Sequence, residues 1–301
     1  MAHPVTISAR DRSLLKLLSW TPATTALLLR ASVAFDDGPF LDERRLRERL
    51  QTLFRSGFIR VWSSAHPGGG LQNYYKLTPA GFQAIHGPDA PLPPRTFFAE
   101  ISPSLFQHTL RLANVIVETV HACHAGRITI DRFYRENELT FTSGADQVQP
   151  DSFVRFVHGG RPFHVAVELD QSTESLDTNA ANSIRTKLRV YQSYQDTLLD
   201  AWLSGGKTWE RPRFRVAFLT PTIERAYHIL SLANRIATNK SRHLVYAATY
   251  DSYVGESDPI RTPIFLDHHG NWQALVDLHP TAGFLRPPVR IPQDVEQVFP
   301  F

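Results

Sequence analysis

Residues 150–170, PDSFVRFVHGGRPFHVAVELD, form two alternating apolar runs joined at Gly159-Gly160, and this hairpin constrains the chain more than any other segment. A two-residue turn needs φ > 0 at both central positions, which glycine adopts without steric cost. Pairing outward from the turn sets Asp151 opposite Glu168. Strand side chains alternate with period two, so Asp170 joins those two carboxylates, while Val154, Phe156, Phe163, Val165, Val167 and Leu169 fill the other face. Three acids within roughly 5–7 Å of one another repel. Such a sheet needs a compensating cation, either a basic side chain or a hard metal ion held by oxygen ligands.

The chain has 301 residues, enough for one large domain or two ordinary ones. No apolar run reaches the ~18 residues that span a bilayer, and the amino terminus, MAHPVTISAR, lacks the apolar stretch of a secretion signal. The expectation is a cytoplasmic protein with no membrane partner. Cys123 is the only cysteine, which excludes an internal disulfide and a multi-cysteine zinc cluster. The net charge of +3 does not by itself announce nucleic acid. Its distribution is uneven, however: residues 1–90 hold eleven Lys/Arg against seven Asp/Glu, and the remainder holds 21 against 22.

In the basic part, the leucines between Ser8 and Trp20 predict a first helix, and Thr21-Pro22 stops it and opens a second through Leu29. A third helix is legible in LDERRLRERLQTLFRSGF: Leu46, Leu50, Leu53 and Phe54 follow helical spacing, Asp42 caps the start and Gly57 ends it. FIRVWSS and NYYKLT then read as two strands around the glycine-rich AHPGGGLQ. Three helices and a hairpin resemble winged helix-turn-helix DNA-binding domains. The resemblance implies that Arg44, Arg45, Arg49 and Arg55 lie on or beside the face turned to double-stranded DNA, with Arg60 or Lys76 touching the backbone. An arginine-rich solvated face would carry the same pattern.

HGPDAPLPPRTFFAEISPS, with five prolines, predicts a semi-rigid linker, dividing the chain into a domain at 1–87, a linker at 88–103 and a second domain at 104–301. Beyond it, the order of helix, three strands, helix, strand, helix, strand predicts an α/β sandwich with a mixed sheet, and the chain as a whole is α+β with two domains. The helix around SIRTKLRVYQSYQDTLL buries a stripe through Ile184, Leu188, Tyr191, Gln195 and Leu198. Lys187 borders that stripe, so its stem lies along it and its ammonium reaches towards the sheet.

Taken together, a helix with His108, "YRENEL" with Glu136, "PDSF" with Asp151, "VELDQSTES" with Glu168, Asp170 and Thr173, and "KLRVYQSY" with Lys187 and Tyr191 resemble the PD-(D/E)XK nucleases. More narrowly, they resemble the replication-relaxation family of plasmid and mobile-element proteins. The resemblance implies that Asp151 and Glu168 bind Mg²⁺ or Mn²⁺. It also implies that Lys187 orients the attacking water and that Glu136 joins the site. This chain has Asp170 where such nucleases usually carry lysine. Asp170 is then either a further metal ligand or a mark of a degenerate site, and the lysine's work falls to Lys187.

Three functions remain open on the sequence. One is a metal-dependent nuclease that cuts or nicks DNA in replication or transfer. Another is a regulator or relaxase accessory factor, a homodimer included, that keeps the nuclease fold as a DNA-holding platform beside a relaxase or replication protein. The third is a protein-interaction adaptor. A solvated hairpin end with Arg135, Arg155 or Arg185 as counter-ions would account for the acids without metal. SGGKTW at 204–209 fails as a phosphate loop because Ala201 stands where the first glycine belongs. His121, Cys123 and His124 point apart on a helix, His268-His269 beside Asp267 read as a turn, and the proline-rich stretch from Pro280 reads as an extended tail.

Overall fold

The computed structural model describes residues 6–65, 69–207, 213–239 and 242–276. Part of AHPGGGLQ, the end of SGGKTW and the stretch from Pro280 lie outside the described residues. The described residues fall into two compact units that divide between His124 and Ala125.

In the first unit, α1 (Ala9–Trp20) starts with a reciprocal cap. The Ser8 hydroxyl accepts the Asp11 amide, and the Asp11 carboxylate accepts the Ser8 amide at 2.7 Å. Strand β1 (Ala23–Thr24) follows Pro22, and Thr24 caps α2 (Thr25–Ala31), which runs into a 3-10 turn at Ser32–Ala34. Asp42 caps α3 (Glu43–Arg55) by accepting the Arg45 amide at 2.8 Å, and Gly57, at φ 77°, reverses the chain after it. Strands β2 (Ile59–Ala65) and β3 (Leu71–Leu77) pair antiparallel, and β1 adds to the far side of β3. Thr78 caps α4 (Pro79–His86). Leu14, Leu15, Leu28, Leu46 and Leu50 fill the core at 0–1 % exposure, so α3 buries the leucines read from its spacing, while Phe54, read into the same stripe, is exposed.

The proline-rich segment is no free linker. It contains α5 (Arg95–Phe98), whose Phe97 and Phe98 rings lie 6.1 and 6.4 Å from Phe82. The Ile101 amide donates to the Tyr74 hydroxyl at 3.0 Å, and Phe106 packs on the same ring at 5.3 Å. Phe106 opens α6 (Pro103–Gly126), most of which belongs to the first unit. Its buried side runs through Phe106, Leu112, Val115, Ile116 and Val117, while Leu105 is exposed. Glu118 on this helix is buried and forms a two-pronged pair with Arg30. The boundary therefore falls at the end of α6 and not at 88–103, because aromatic packing and this ion pair hold the segment and the helix to the first unit.

The second unit continues with β4 (Thr129–Arg135), β5 (Phe141–Ser143), β6 (Asp146–Val148), β7 (Ser152–His158) and β8 (Arg161–Leu169). Then come α7 (Ile184–Ser204), β9 (Arg215–Thr220), α8 (Ile223–Ile236), β10 (Val245–Thr249), α9 (Tyr250–Gly255), β11 (Phe265–Asp267) and β12 (Trp272–Gln273). Seven strands make one mixed sheet in the order β12-β11-β10-β9-β8-β7-β4, in which β8, β9 and β10 are parallel and the remaining pairs antiparallel. Parallel neighbours need crossover connections, and α7 and α8 supply them. Both helices pack on the face that carries Ala166, Val216, Phe218, Val245 and Ala247. The small β5–β6 hairpin closes on α7 through Phe141, whose ring stands 5.1 Å from Tyr191. Among the described residues, no helix is long and apolar enough to cross a membrane.

Removing Arg30 tests the assignment of α6, because it strands Glu118 in a buried position. Arg30→Ala is expected to cost about 2 kcal/mol, less than for a fully enclosed pair because the arginine is half exposed. Exposed Arg12→Ala should stay within about 0.5 kcal/mol of wild type. Urea unfolding of both variants measures the difference.

Candidate active site at the carboxyl ends of the parallel strands

Gly159 and Gly160 adopt φ of 55° and 73°, and the hairpin pairs Ser152 with Val167 through His158 with Arg161, as the turn requires. Val154, Phe156, Val165, Val167 and Leu169 are buried on one face, with Phe163 partly so. Ala166 and Glu168 look to the other, towards α7. Just before β7, Asp151 turns its Oδ2 onto the backbone amide of Leu169 at 2.6 Å. This charge-assisted bond caps an amide beyond the paired part of the hairpin and fixes the Asp151 carboxylate beside Glu168. In open sheets with parallel strands, ligands bind outside the carboxyl ends of those strands, which is where this pair stands.

Glu168 is 2 % exposed. Its Oε2 accepts from Lys187 Nζ at 2.8 Å, and its Oε1 accepts from the Tyr191 hydroxyl. Lys187 and Tyr191 are one helical turn apart on α7, so one face of one helix serves both oxygens. Lys187 Nζ also lies 2.8 Å from Glu174 Oε1, while the other Glu174 oxygen is buried without a hydrogen-bond partner. Burial pushes the Glu168 carboxyl up against the pull of Lys187, and Asp151 adds repulsion, bringing it to about 7. Burial alone would lower the Lys187 ammonium, but Glu168 and Glu174 outweigh it and raise that group above its ordinary value. Tyr191 is raised too, by burial and by the acids beneath it. The site thus combines a carboxyl that exchanges a proton near neutrality with an ammonium that stays charged.

Asp170 departs from expectation. The alternation does turn it towards the helices, but both of its oxygens are taken by Arg225, at 2.6 and 3.1 Å. The same guanidinium donates to the Glu174 carbonyl at 2.8 Å and so pins the loop that carries Glu174 to Lys187. Asp170 is part of this latch and not a member of a metal trio with Asp151 and Glu168. Glu136 lies one residue beyond the Arg135–Ser152 pair, as Asp151 lies one before it, so both sit at the same end of the sheet. Its side chain is exposed. Of the arginines expected as counter-ions, Arg135 pairs with Glu138, Arg155 with Asp131 and Arg185 with Asp177.

Sequence reasoning missed Arg225 and Glu174. Glu174 sits in a loop without periodicity, so nothing local singled it out. Arg225 did carry a signal: it falls in the first turn of the helix after β9, capped by Thr222, and the crossover topology brings that turn to the edge where β8 ends.

Among the described residues, no three His, Cys, Asp or Glu side chains stand together in a way that could hold a metal ion. A magnesium ion asks for less, since one or two carboxylates, waters and substrate phosphate commonly complete its shell. Asp151 and Glu168 fit that demand as hard oxygen donors, and the unpartnered Glu174 oxygen is a further acceptor beside Lys187.

In the first unit, Arg44, Arg45, Arg55 and Arg60 are exposed, with Arg44 3.5 Å from Glu48. Arg49 is not available in the same way. It clasps Asp11, which is 1 % exposed, through Nε at 2.6 Å, and it donates to the Thr6 carbonyl at 3.0 Å. This pair ties α3 to the start of α1. Lys76 is buried at 7 % exposure and donates to the Ala99 carbonyl, so it cannot reach a DNA backbone; β3 turns it inward, under the proline-rich segment. Cys123 is buried and His124 exposed, as expected of residues pointing apart.

Fold and site define a mixed α+β protein in which a large mixed sheet carries two acids at the carboxyl ends of its parallel strands and α7 sets a lysine over them. The replication-relaxation family matches residues 16–201, and the chain belongs to that family. No curated protein matches it. Among solved structures, Bacillus subtilis PadR in complex with operator DNA is similar at 15 % identity, covering 39 % of this chain and 68 % of that one with a TM-score of 0.25. The restriction endonuclease FokI is similar at 10 % identity over 83 % of this chain and 44 % of that one, with a TM-score of 0.26. FokI bound to DNA gives 12 % identity, 85 % and 46 % coverage and a TM-score of 0.27. The chain thus spans less than half the length of the FokI chains, and likenesses at such scores carry no weight here.

The raised Glu168 carboxyl makes stability depend on pH in a definite direction. Its folded value of about 7 exceeds the ordinary 4.5, so the folded state holds that proton longer and stability falls as pH rises between the two. Glu168→Gln should remove this component. Urea midpoints at about pH 5 and about pH 8 should converge in the variant relative to wild type.

Proposed function

We propose that this chain binds double-stranded DNA through a winged helix in its first unit and cuts or nicks phosphodiester bonds at the Asp151, Glu168 and Lys187 site. Its setting would be the replication or transfer of a plasmid or other mobile element. The observation that carries the reading is the Asp151 carboxylate held on the Leu169 amide at 2.6 Å, close enough to Glu168 to repel it, with the Lys187 ammonium 2.8 Å from the second acid. Membership of the replication-relaxation family supports a role in DNA metabolism.

In this reading Asp151 and Glu168 would hold Mg²⁺ or Mn²⁺, which when bound polarises a scissile phosphate and lowers the pKa of a water. Lys187 donates to an anionic phosphate oxygen as charge grows on it, an interaction that strengthens in the transition state. Glu174 gives Lys187 a second anchor, so the ammonium keeps its place whichever proton state Glu168 adopts. Tyr191 fixes the orientation of the Glu168 carboxyl. Exposed Arg44, Arg45, Arg55 and Arg60 supply phosphate contacts, whose strength falls with salt.

A second reading, a non-catalytic platform accessory to a relaxase, is favoured by one specific feature. Both Glu168 oxygens are occupied by protein donors, and Asp170, where nucleases of this type usually carry lysine, is locked to Arg225. Supercoiled plasmid incubated with Mn²⁺ or Mg²⁺ separates the two. The enzymatic reading predicts nicking that drops by roughly 100-fold or more in Asp151→Asn and Lys187→Met, with DNA binding unchanged. DNA binding without nicking by any form favours the platform, and equal nicking by all three removes the proposed site.

A further inference from the structure

The opposite end of the same sheet carries a second, differently charged site. At the amino ends of β8, β9 and β10 lies a cavity of about 670 Å³ lined by Arg213, Arg215, Arg242, His164, His243 and Tyr246, and among the described residues that line it none is a carboxylate. Its volume is that of a small-molecule cleft, typically about 300–1,000 Å³.

Guanidinium groups that share a cavity repel unless held, and here Arg215 and Arg242 are held from behind. Arg215 lies between the Phe163 and Tyr246 rings, 5.6 and 5.5 Å from their centroids, and donates to the Leu275 carbonyl. Arg242 pairs with Asp196 and donates to the Gln192 carbonyl at 3.4 Å. His164 Nδ1 is 3.2 Å from the Arg213 carbonyl.

His243 is held most firmly, by the residue next to the histidine pair that the sequence presents as a mere turn. Its Nδ1 lies 2.6 Å from Oδ2 of Asp267, which is fully buried. Asp267 also accepts the His269 and Asn271 amides at 2.9 Å each and the Gln273 side chain at 2.9 Å. Burial opposes ionisation of Asp267, but these donors and His243 outweigh it and keep its carboxyl low. An anion fixed in this way keeps the proton on Nδ1 and leaves the other ring nitrogen of half-exposed His243 for the cavity.

We propose that this cavity binds the phosphate of a nucleotide unit, either a free nucleotide or one in a DNA strand. Guanidinium forks match phosphate oxygens in geometry and charge, and His243, in its doubly protonated form beside Asp267, donates a directed N–H from its second ring nitrogen. A bare phosphate would leave most of the volume empty, whereas the partly exposed Pro162 and Leu199 and the exposed Asn239 on the lining offer apolar surface and an amide to a sugar and base. The site is independent of Glu168, which stands towards the other end of β8.

Calorimetric titration of the full chain with dAMP, inorganic phosphate and a 5′-phosphorylated single-stranded hexamer tests this. Arg213 is exposed and His243→Asn keeps a side-chain donor towards buried Asp267 while removing the second ring nitrogen, so Arg213→Gln and His243→Asn are the variants used, with circular dichroism and urea midpoints checking the fold. The expected result is binding of dAMP or the hexamer that weakens at least tenfold in both variants and is unchanged in Glu168→Gln. Tighter binding of the hexamer assigns a strand as the source, and equal or tighter binding of dAMP assigns the free nucleotide. The proposal is overturned by no binding of either at millimolar concentration, by affinities in both variants equal to wild type, or by inorganic phosphate binding as tightly as dAMP.

Discussion

A carboxyl group buried in a sheet must be neutralised where it stands, and Glu168 is met by Lys187. Burying an ion costs several kcal/mol unless a partner and hydrogen bonds offset it, and this cost organises the second unit. It requires α7 to cross the sheet in the one register that sets Lys187 and Tyr191 over the two oxygens. It requires Asp151, the acid opposite, to spend its own charge on the Leu169 amide. The Gly159-Gly160 turn settles the rest, because a slip of one residue would turn Glu168 to the other face.

Two acids of β8 and its end receive two kinds of cation, and the difference is physical. Asp170 is gripped by the planar fork of Arg225, which also holds the Glu174 carbonyl, so that corner is rigid. Glu168 is paired with a lysine, a compact charge on a flexible stem, and Glu174 offers that charge a second seat. Asp170 thus has the fixed partner, and Glu168, the acid proposed to act on substrate, has the one on a flexible stem.

Much of this was legible in the chain. The glycine pair and the alternation gave the hairpin register, and the stripe through Ile184, Leu188 and Tyr191 gave the side on which Lys187 lies. The leucines of α3 gave its buried face and its exposed arginines. Contacts made across the sequence were not legible. Arg49 looks like its neighbours until Asp11 is seen beneath it, Lys76 until the proline-rich segment covers it, and Asp170 until the first turn of α8 arrives with Arg225. The proline content of 88–103 suggested a linker, whereas Phe97 and Phe98, which pack on Phe82, and the Ile101 amide, which bonds Tyr74, tie the segment down.

The central claim is that Asp151 and Glu168, and not Asp170, form the acidic heart of the site. Crystals soaked in Mn²⁺ and measured by anomalous scattering address it directly. The account predicts a manganese peak within bonding distance of the Asp151 and Glu168 carboxylates, with Asp170 still on Arg225. A peak on Asp170, or none beside Asp151 at a concentration that supports DNA cleavage, would contradict it.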